Sequence, residues 1–137
     1  MYVSNVIFCE NVAHESLLDG TAKTNALGLL SRGEVLSVPS FYSMCMMVLI
    51  NAESLDSKSR IKISVKNPKE DMIFDQEVDL SAFPRPLPPA EVKDLHMSIN
   101  FQNLVIDELG YYTFEILINS LKDYECKFLV SQKVIRK

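Results

Sequence analysis

The chain has no tryptophan, two histidines, four glycines and three cysteines in 137 residues, and each scarcity excludes a type of chemistry. Gly20, Gly28, Gly33 and Gly110 are scattered, so no glycine-rich loop cradles a phosphate and no Gly-x-Ser-x-Gly turn presents a nucleophile. Neither His14 nor His96 has a second His or Cys two or four residues away, so no metal-ligand spacing exists. His14 reads as a polar residue where the first strand ends, and His96 as a surface residue ahead of a later strand. Cys9, Cys45 and Cys126 are odd in number and contain no C-x-x-C. Each lies in an apolar run where a free thiol behaves as a small hydrophobe, and Glu10 beside Cys9 disfavours a reactive thiolate. A reducing, cytoplasmic compartment is expected.

Long apolar runs and excess positive charge are lacking too. The longest run, Met44 to Ile50, is about a third of a membrane-spanning helix. Val6 to Cys9 has no basic region before it and is flanked by Ser4, Asn5 and Glu10, unlike a signal peptide. The formal net charge is -4, which opposes a surface built to neutralise phosphates. Lys127, Lys133, Arg136 and Lys137 read as a solubilising terminus. Neither nucleic acid nor membrane is an expected partner.

What is present is alternation. Ile61, Ile63 and Val65 alternate with Arg60, Lys62 and Ser64. The same period of two recurs through Phe74, Val78 and Leu80 (with Gln76 the polar intruder), then Met97, Ile99 and Phe101. It returns in Tyr112, Phe114, Ile116 and Ile118, and again in Tyr124, Cys126, Phe128 and Val130. Such a period marks strands with one buried face. Val3 to Val12 and Ser43 to Ala52 are more continuously apolar, as in strands covered on both faces or strands with loops lying over the second face, and Asn25 to Leu30 is a weaker strand. Glu53 to Lys58 and Asn67 to Asp71 read as turns. Helix is expected at most around His14 to Leu18 or Pro89 to Leu95. The composition, 47% hydrophobic and 23% charged, is that of an ordinary soluble domain. The expected fold is one all-β domain over residues 1–137, a two-sheet antiparallel sandwich of about seven to eight strands.

Glu108-Leu109-Gly110-Tyr111-Tyr112-Thr113-Phe114 resembles the acidic-x-Gly-x-Tyr-x-Cys pattern that opens strand F of immunoglobulin-like domains. The resemblance implies a tyrosine corner at Tyr112, its hydroxyl bonded to upstream backbone. Phe114 stands where that pattern has its disulfide cysteine. Val6 to Val12 followed by Asn25 to Leu30, together with Gly110 to Asn119, is also similar to an uncharacterised family of small single-domain bacterial proteins. That resemblance spans nearly the whole chain and implies a bacterial, cytosolic β-sandwich with no assigned activity. A polar loop after Ala52 and a proline-rich stretch after Phe83 depart from it.

The acid pairs Glu70 with Asp71 and Asp107 with Glu108 fall at expected turns, where solvated carboxylates are ordinary. No catalytic, cofactor-binding or metal-binding residue is assigned, and the chain is not expected to be an enzyme. Two segments suggest a partner surface. Arg85, Pro86, Leu87 and Pro88 lie in a stretch that favours polyproline II and resembles ligands of SH3-type domains, or serves as a stiff crossover. Met44, Met46 and Met47 supply adaptable apolar side chains, and because they cannot all face one way, part of that strand would show an apolar patch if uncovered. The expected function is a non-catalytic protein-interaction or structural module, binding a protein or itself through a sheet face or an edge strand. Val3 to Val12 is the favoured edge, ahead of Tyr124 to Val130. The alternative is a small-molecule-binding protein or hydrolase with a loop-built site near His14, lined by Glu10, Asp19 and His96.

Overall fold

The computed structural model describes residues 2–16, 22–51, 60–78 and 94–133. Within them lie nine strands: β1 (Tyr2–Ser16), β2 (Ala22–Leu29), β3 (Arg32–Val35), β4 (Ser40–Asn51), β5 (Ile61–Lys66), β6 (Met72–Val78), β7 (Asp94–Ile106), β8 (Gly110–Ile118) and β9 (Leu121–Gln132). They form a four-stranded sheet in the order β2-β1-β4-β7 and a five-stranded sheet in the order β3-β9-β8-β5-β6. The all-β, two-sheet reading therefore holds. It needs two corrections.

First, there is one strand more than expected, and it pairs in parallel, β3 against β9. In β3 the inward positions are Gly33 and Val35, with Arg32 and Glu34 outward. A glycine in an inward position hides the alternation. It is there because Phe128 and Tyr42 crowd it: a Cβ on Gly33 would lie 2.9 Å from Phe128 Cε1. Second, the segments left open to helix are extended wherever they are described. His14 to Ser16 pairs with β2 out to Ser16 opposite Ala22, and Asp94 and Leu95 pair with β4. A ladder that satisfies every second backbone group leaves no reason for a helical turn there.

The five alternating segments are β5, β6, β7, β8 and β9, and their described apolar positions face inward, Leu80 and the Val78 side chain lying outside the described residues. Ile61, Ile63, Val65, Met97, Phe101, Tyr112, Phe114, Ile116, Phe128 and Val130 are buried. Phe74, Ile99, Tyr124 and Cys126 pack against them from the margin. From the other sheet come Val3, Met44, Met46, Val48 and Ile50, with Val6 and Phe8 beside them. Phe114 sits centrally. Its ring centroid is 4.9 Å from Phe8 and 5.6 Å from Phe101, both across the sandwich, and 6.3 Å from Phe128 on the neighbouring strand. The Phe8, Phe101 and Phe128 contacts are edge-to-face, the arrangement ring quadrupoles favour.

The tyrosine corner forms. Tyr112 is fully buried, and its hydroxyl donates to the Glu108 backbone oxygen at 2.7 Å. The Glu108 carboxylate meets Lys69 Nζ at 3.5 Å. Two turns are built by asparagine. Asn67 Oδ1 accepts from the Lys69 and Asp71 amides at 3.0 and 2.9 Å, and Asn119-Ser120 closes the β8–β9 hairpin with both residues at positive φ, as a two-residue primed turn requires.

Truncating Phe114 to Ala removes the ring that both sheets share, with an expected loss of about 3–5 kcal/mol. Tyr112→Phe removes one hydrogen bond and is expected to cost about 1 kcal/mol. Urea unfolding followed by far-ultraviolet circular dichroism measures both, and equal losses would contradict this assignment of roles.

Candidate functional site

The outward faces of the two sheets differ. On the five-stranded sheet the positions between the core residues carry ion pairs, beside the exposed Tyr111 and the half-buried Leu117 and Leu129. Lys62 Nζ meets Asp75 at 3.1 Å, Lys66 Nζ meets Glu115 at 3.2 Å, and Arg60 meets Glu77 at 3.7 Å. Such pairs add little stability but keep the face solvated. The outer positions of the four-stranded sheet mix apolar side chains with Asn5, Asn11, Ser98 and Asn100. Directly opposed residues project to one side, so the register defines its outer rungs: Leu29-Cys9-Cys45-Asn100, then Ile7-Met47-Ser98, then Asn5 opposite Leu49. Toward the other end Phe41 stands opposite Val105. Cys9, Cys45 and Met47 are buried, whereas Leu27, Leu29, Phe41 (68% exposed) and Val105 (47%) are open.

Against this frame the expected partner residues separate. Met44 and Met46 point into the core, and Met47 points outward but is also buried, all three 7% exposed or less. They are core and cover, not an open patch. The exposed apolar residues of the same strand and its neighbour are Phe41 and Val105, which sequence reasoning missed. The signal was a change of parity in β7, from Met97, Ile99 and Phe101 to Leu104 and Ile106. A bulge causes it: Leu104 pairs with Tyr42 but Phe101 pairs with Met44, and Asn103 adopts φ 56° with its amide donating to Ser43 Oγ at 3.0 Å. Arg85, Pro86, Leu87 and Pro88 lie outside the described residues.

The expected edges are met in part. β1 lies between β2 and β4 and β9 between β3 and β8, but β2 pairs with β1 only from Cys9 onward and β3 with β9 only from Leu129 onward, so among the described residues Val3 to Ile7 pairs with β4 alone and Tyr124 to Phe128 with β8 alone. The edges are β2 and β7 in one sheet and β3 and β6 in the other.

The alternative site is not gathered by the sheet. His96 pairs with Leu49, which is level with Asn5, and His14 is nine positions further along β1, about 30 Å at the usual strand rise. Asp19 lies outside the described residues. Among the described residues no group of three or more His, Cys, Asp or Glu is placed to hold a metal ion.

A shallow, open cleft of about 340 Å³ is lined by Leu29, Leu30, Ser31, Arg32, Glu34 and Tyr42. Arg32 Nη2 bonds Glu34 Oε1 at 3.2 Å. Burial raises the Tyr42 hydroxyl pKa, with the Glu10 and Glu34 carboxylates adding to the effect. Glu10 is held beneath Gly28, whose φ of +68° suits glycine and whose missing Cβ leaves room for the carboxylate. Cys9 is raised by burial and by Cys45. Cys126 is pushed up to about 11, chiefly by burial and then by Glu125.

These features define a two-sheet, all-β domain. The chain belongs to the family of unknown function DUF6941, whose model it matches over residues 5–131. The similarity seen in its opening and late motifs thus leads to an uncharacterised family. No curated protein matches it. Among the described residues no helix is long and apolar enough to cross a membrane.

The Cys126 shift carries a sign. An unfolded thiol ionises near 9.0, while the folded one keeps its proton to about 11. The stabilisation is therefore complete below pH 9 and is lost as pH rises through 11. The urea midpoint is expected to fall between pH 8.5 and 11, and Cys126→Ala to fall less steeply over that range.

Proposed function

We propose that this domain is a non-catalytic protein-interaction module, working in a reducing bacterial cytoplasm, that docks a protein through the outer face of its four-stranded sheet. The supporting observation is the contrast between faces. Ion pairs of Arg60, Lys62 and Lys66 stand on the outer face of one sheet, whereas Leu27, Leu29, Phe41 and Val105 are exposed on the other. Single exposed apolar residues are ordinary on a protein surface. Leu27 and Leu29 on β2, Phe41 on β4 and Val105 on β7 are open apolar positions on one face, and such a group is what a contact surface presents. Leu36 and Val38, in the turn that leads to Phe41, are exposed as well. The net charge of -4 supports a protein rather than a polyanion as partner.

The test replaces the Phe41–Val105 pair by Phe41→Lys with Val105→Glu. Opposite charges on one rung keep the strand pairing favourable, so the unfolding midpoint is expected to stay within about 1 kcal/mol of the parent. Light scattering after size exclusion, with affinity capture from native lysate, is expected to show self-association or a retained protein that the double variant loses at least tenfold. A parent chain that stays monomeric and retains nothing overturns the reading, as does a complex indifferent to the substitution.

A further inference from the structure

β1 and β4 pair from Tyr2 opposite Asn51 to Cys9 opposite Cys45, and their ladder stops at the cysteines. Past that point β1 continues to Ser16 against β2 alone, while the start of β4 is held by β7. The two cysteines thus face each other where the strands part. Opposed residues of an antiparallel pair have Cα atoms about 4.5 or 5.5 Å apart, and both values lie in the range a disulfide bridges, about 4.4–6.8 Å. Both side chains project from the same face. Cys9 Sγ approaches the Cys45 backbone oxygen at 3.8 Å, and Cys45 Sγ lies 3.7 Å from Asn100 Oδ1. Both thiols are free. The third, Cys126, is on the inner side of the other sheet, opposite Phe114.

We propose that Cys9 and Cys45 form a redox-responsive staple, a reversible cross-strand disulfide that closes this fork when the protein meets a peroxide. Cys45 keeps a small exposed edge and Cys9 has none, which sets the order of events. The Cys45 thiolate attacks one peroxide oxygen, the O–O bond breaks, and Cys45 becomes a sulfenic acid as the first water leaves. Cys9 then attacks the Cys45 sulfur, the S–O bond breaks, and a second water leaves with the Cys9 proton. Two thiols have given up two electrons and two protons, and the peroxide has become two waters. A dithiol reductant reverses the bond by exchange. Burial slows the first step, so the staple answers sustained oxidant and ignores brief exposure.

The bond encloses residues 10–44, which carry β2, β3 and every residue lining the Leu29–Tyr42 cleft. Oxidation therefore restrains the strands around that cleft from β1 to β4. This consequence is independent of the docking proposal, since it concerns one chain alone.

The experiment treats the reduced full chain with hydrogen peroxide, then measures intact mass, thiol count under denaturing conditions and cross-linked peptides. Expected are a mass loss of about 2 Da, a fall from three titratable thiols to one, and a peptide joining Cys9 to Cys45. Cys126→Ser is expected to lose both of its remaining thiols. Cys9→Ser is expected to gain about 16 Da at Cys45 and form no internal link. Closing the loop is expected to raise Tm by about 5–10 °C, an increase that dithiothreitol removes. Three surviving thiols at a dose that oxidises the urea-unfolded chain overturn the proposal, as does a link through Cys126. The wild-type peptide map decides this even where the serine variants do not fold.

Discussion

The structure depends on a set of aromatic rings that meet between the sheets. Phe8 on β1 and Phe101 on β7 come from one layer, and Phe114 on β8 and Phe128 on β9 from the other, with Phe74 against Phe101 at the margin. The chain has no tryptophan, and its described cysteines form no disulfide. The link that other sandwiches make with sulfur is here made by edge-to-face rings. Each such pair adds about 0.5–1.5 kcal/mol beyond the area it buries. Rings interlocked from four strands also fix how far the layers can slide. Once Phe114 points inward, parity along β8 and its partners follows.

Parity has a further consequence. In β4 the core takes Met44, Met46, Val48 and Ile50, which leaves Cys45, Met47 and Leu49 facing away. In β5 the core takes Ile61, Ile63 and Val65, which leaves Lys62, Ser64 and Lys66. The core does not dictate what stands at outward positions, because a soluble sheet tolerates polar residues there at no cost to packing. At the solvent-facing outward positions, Leu29, Phe41 and Val105 on one sheet and Arg60, Lys62 and Glu77 on the other, the choice is therefore a property of the surface. It is on surfaces, not in cores, that residue choice reports on partners.

Much of this was legible in the sequence, for a physical reason. A strand with one wet and one dry face writes its orientation into every second letter, and β5, β7, β8 and β9 were readable on that ground alone. The corner was readable because a buried tyrosine after glycine must satisfy its hydroxyl nearby, and the Glu108 carbonyl does so. What escaped was whatever breaks alternation. Gly33 erased β3 by putting no side chain where Phe128 needed space. Asn119-Ser120 carried no glycine to announce a primed turn, although asparagine tolerates the left-handed region. Gln76 faces the same way as Ile63 yet is exposed, because β6 is an edge strand and its inner side is only partly covered. The candidate residues stand apart in the fold: Met44 and Met46 face the core and Met47 the other side, as period-two alternation requires, and His14 and His96 fall at opposite ends of one sheet.

The bulge at Asn103 shows why an exposed Phe41–Val105 rung exists at all. With unbroken alternation after Phe101, β7 would send Leu104 and Ile106 outward and keep Val105 within. The extra residue reverses this, and both larger side chains are buried while only the smallest of the three is exposed. On folding grounds that is the better use of Leu104-Val105-Ile106. It leaves one apolar position open on β7, and a chain under no other demand would fill the opposed position on β4 with any polar strand former. Position 41 is phenylalanine, the largest apolar side chain in β4. The bulge accounts for Val105 facing outward; it does not account for its partner, and that remainder is the part of the face that packing within the domain leaves unexplained.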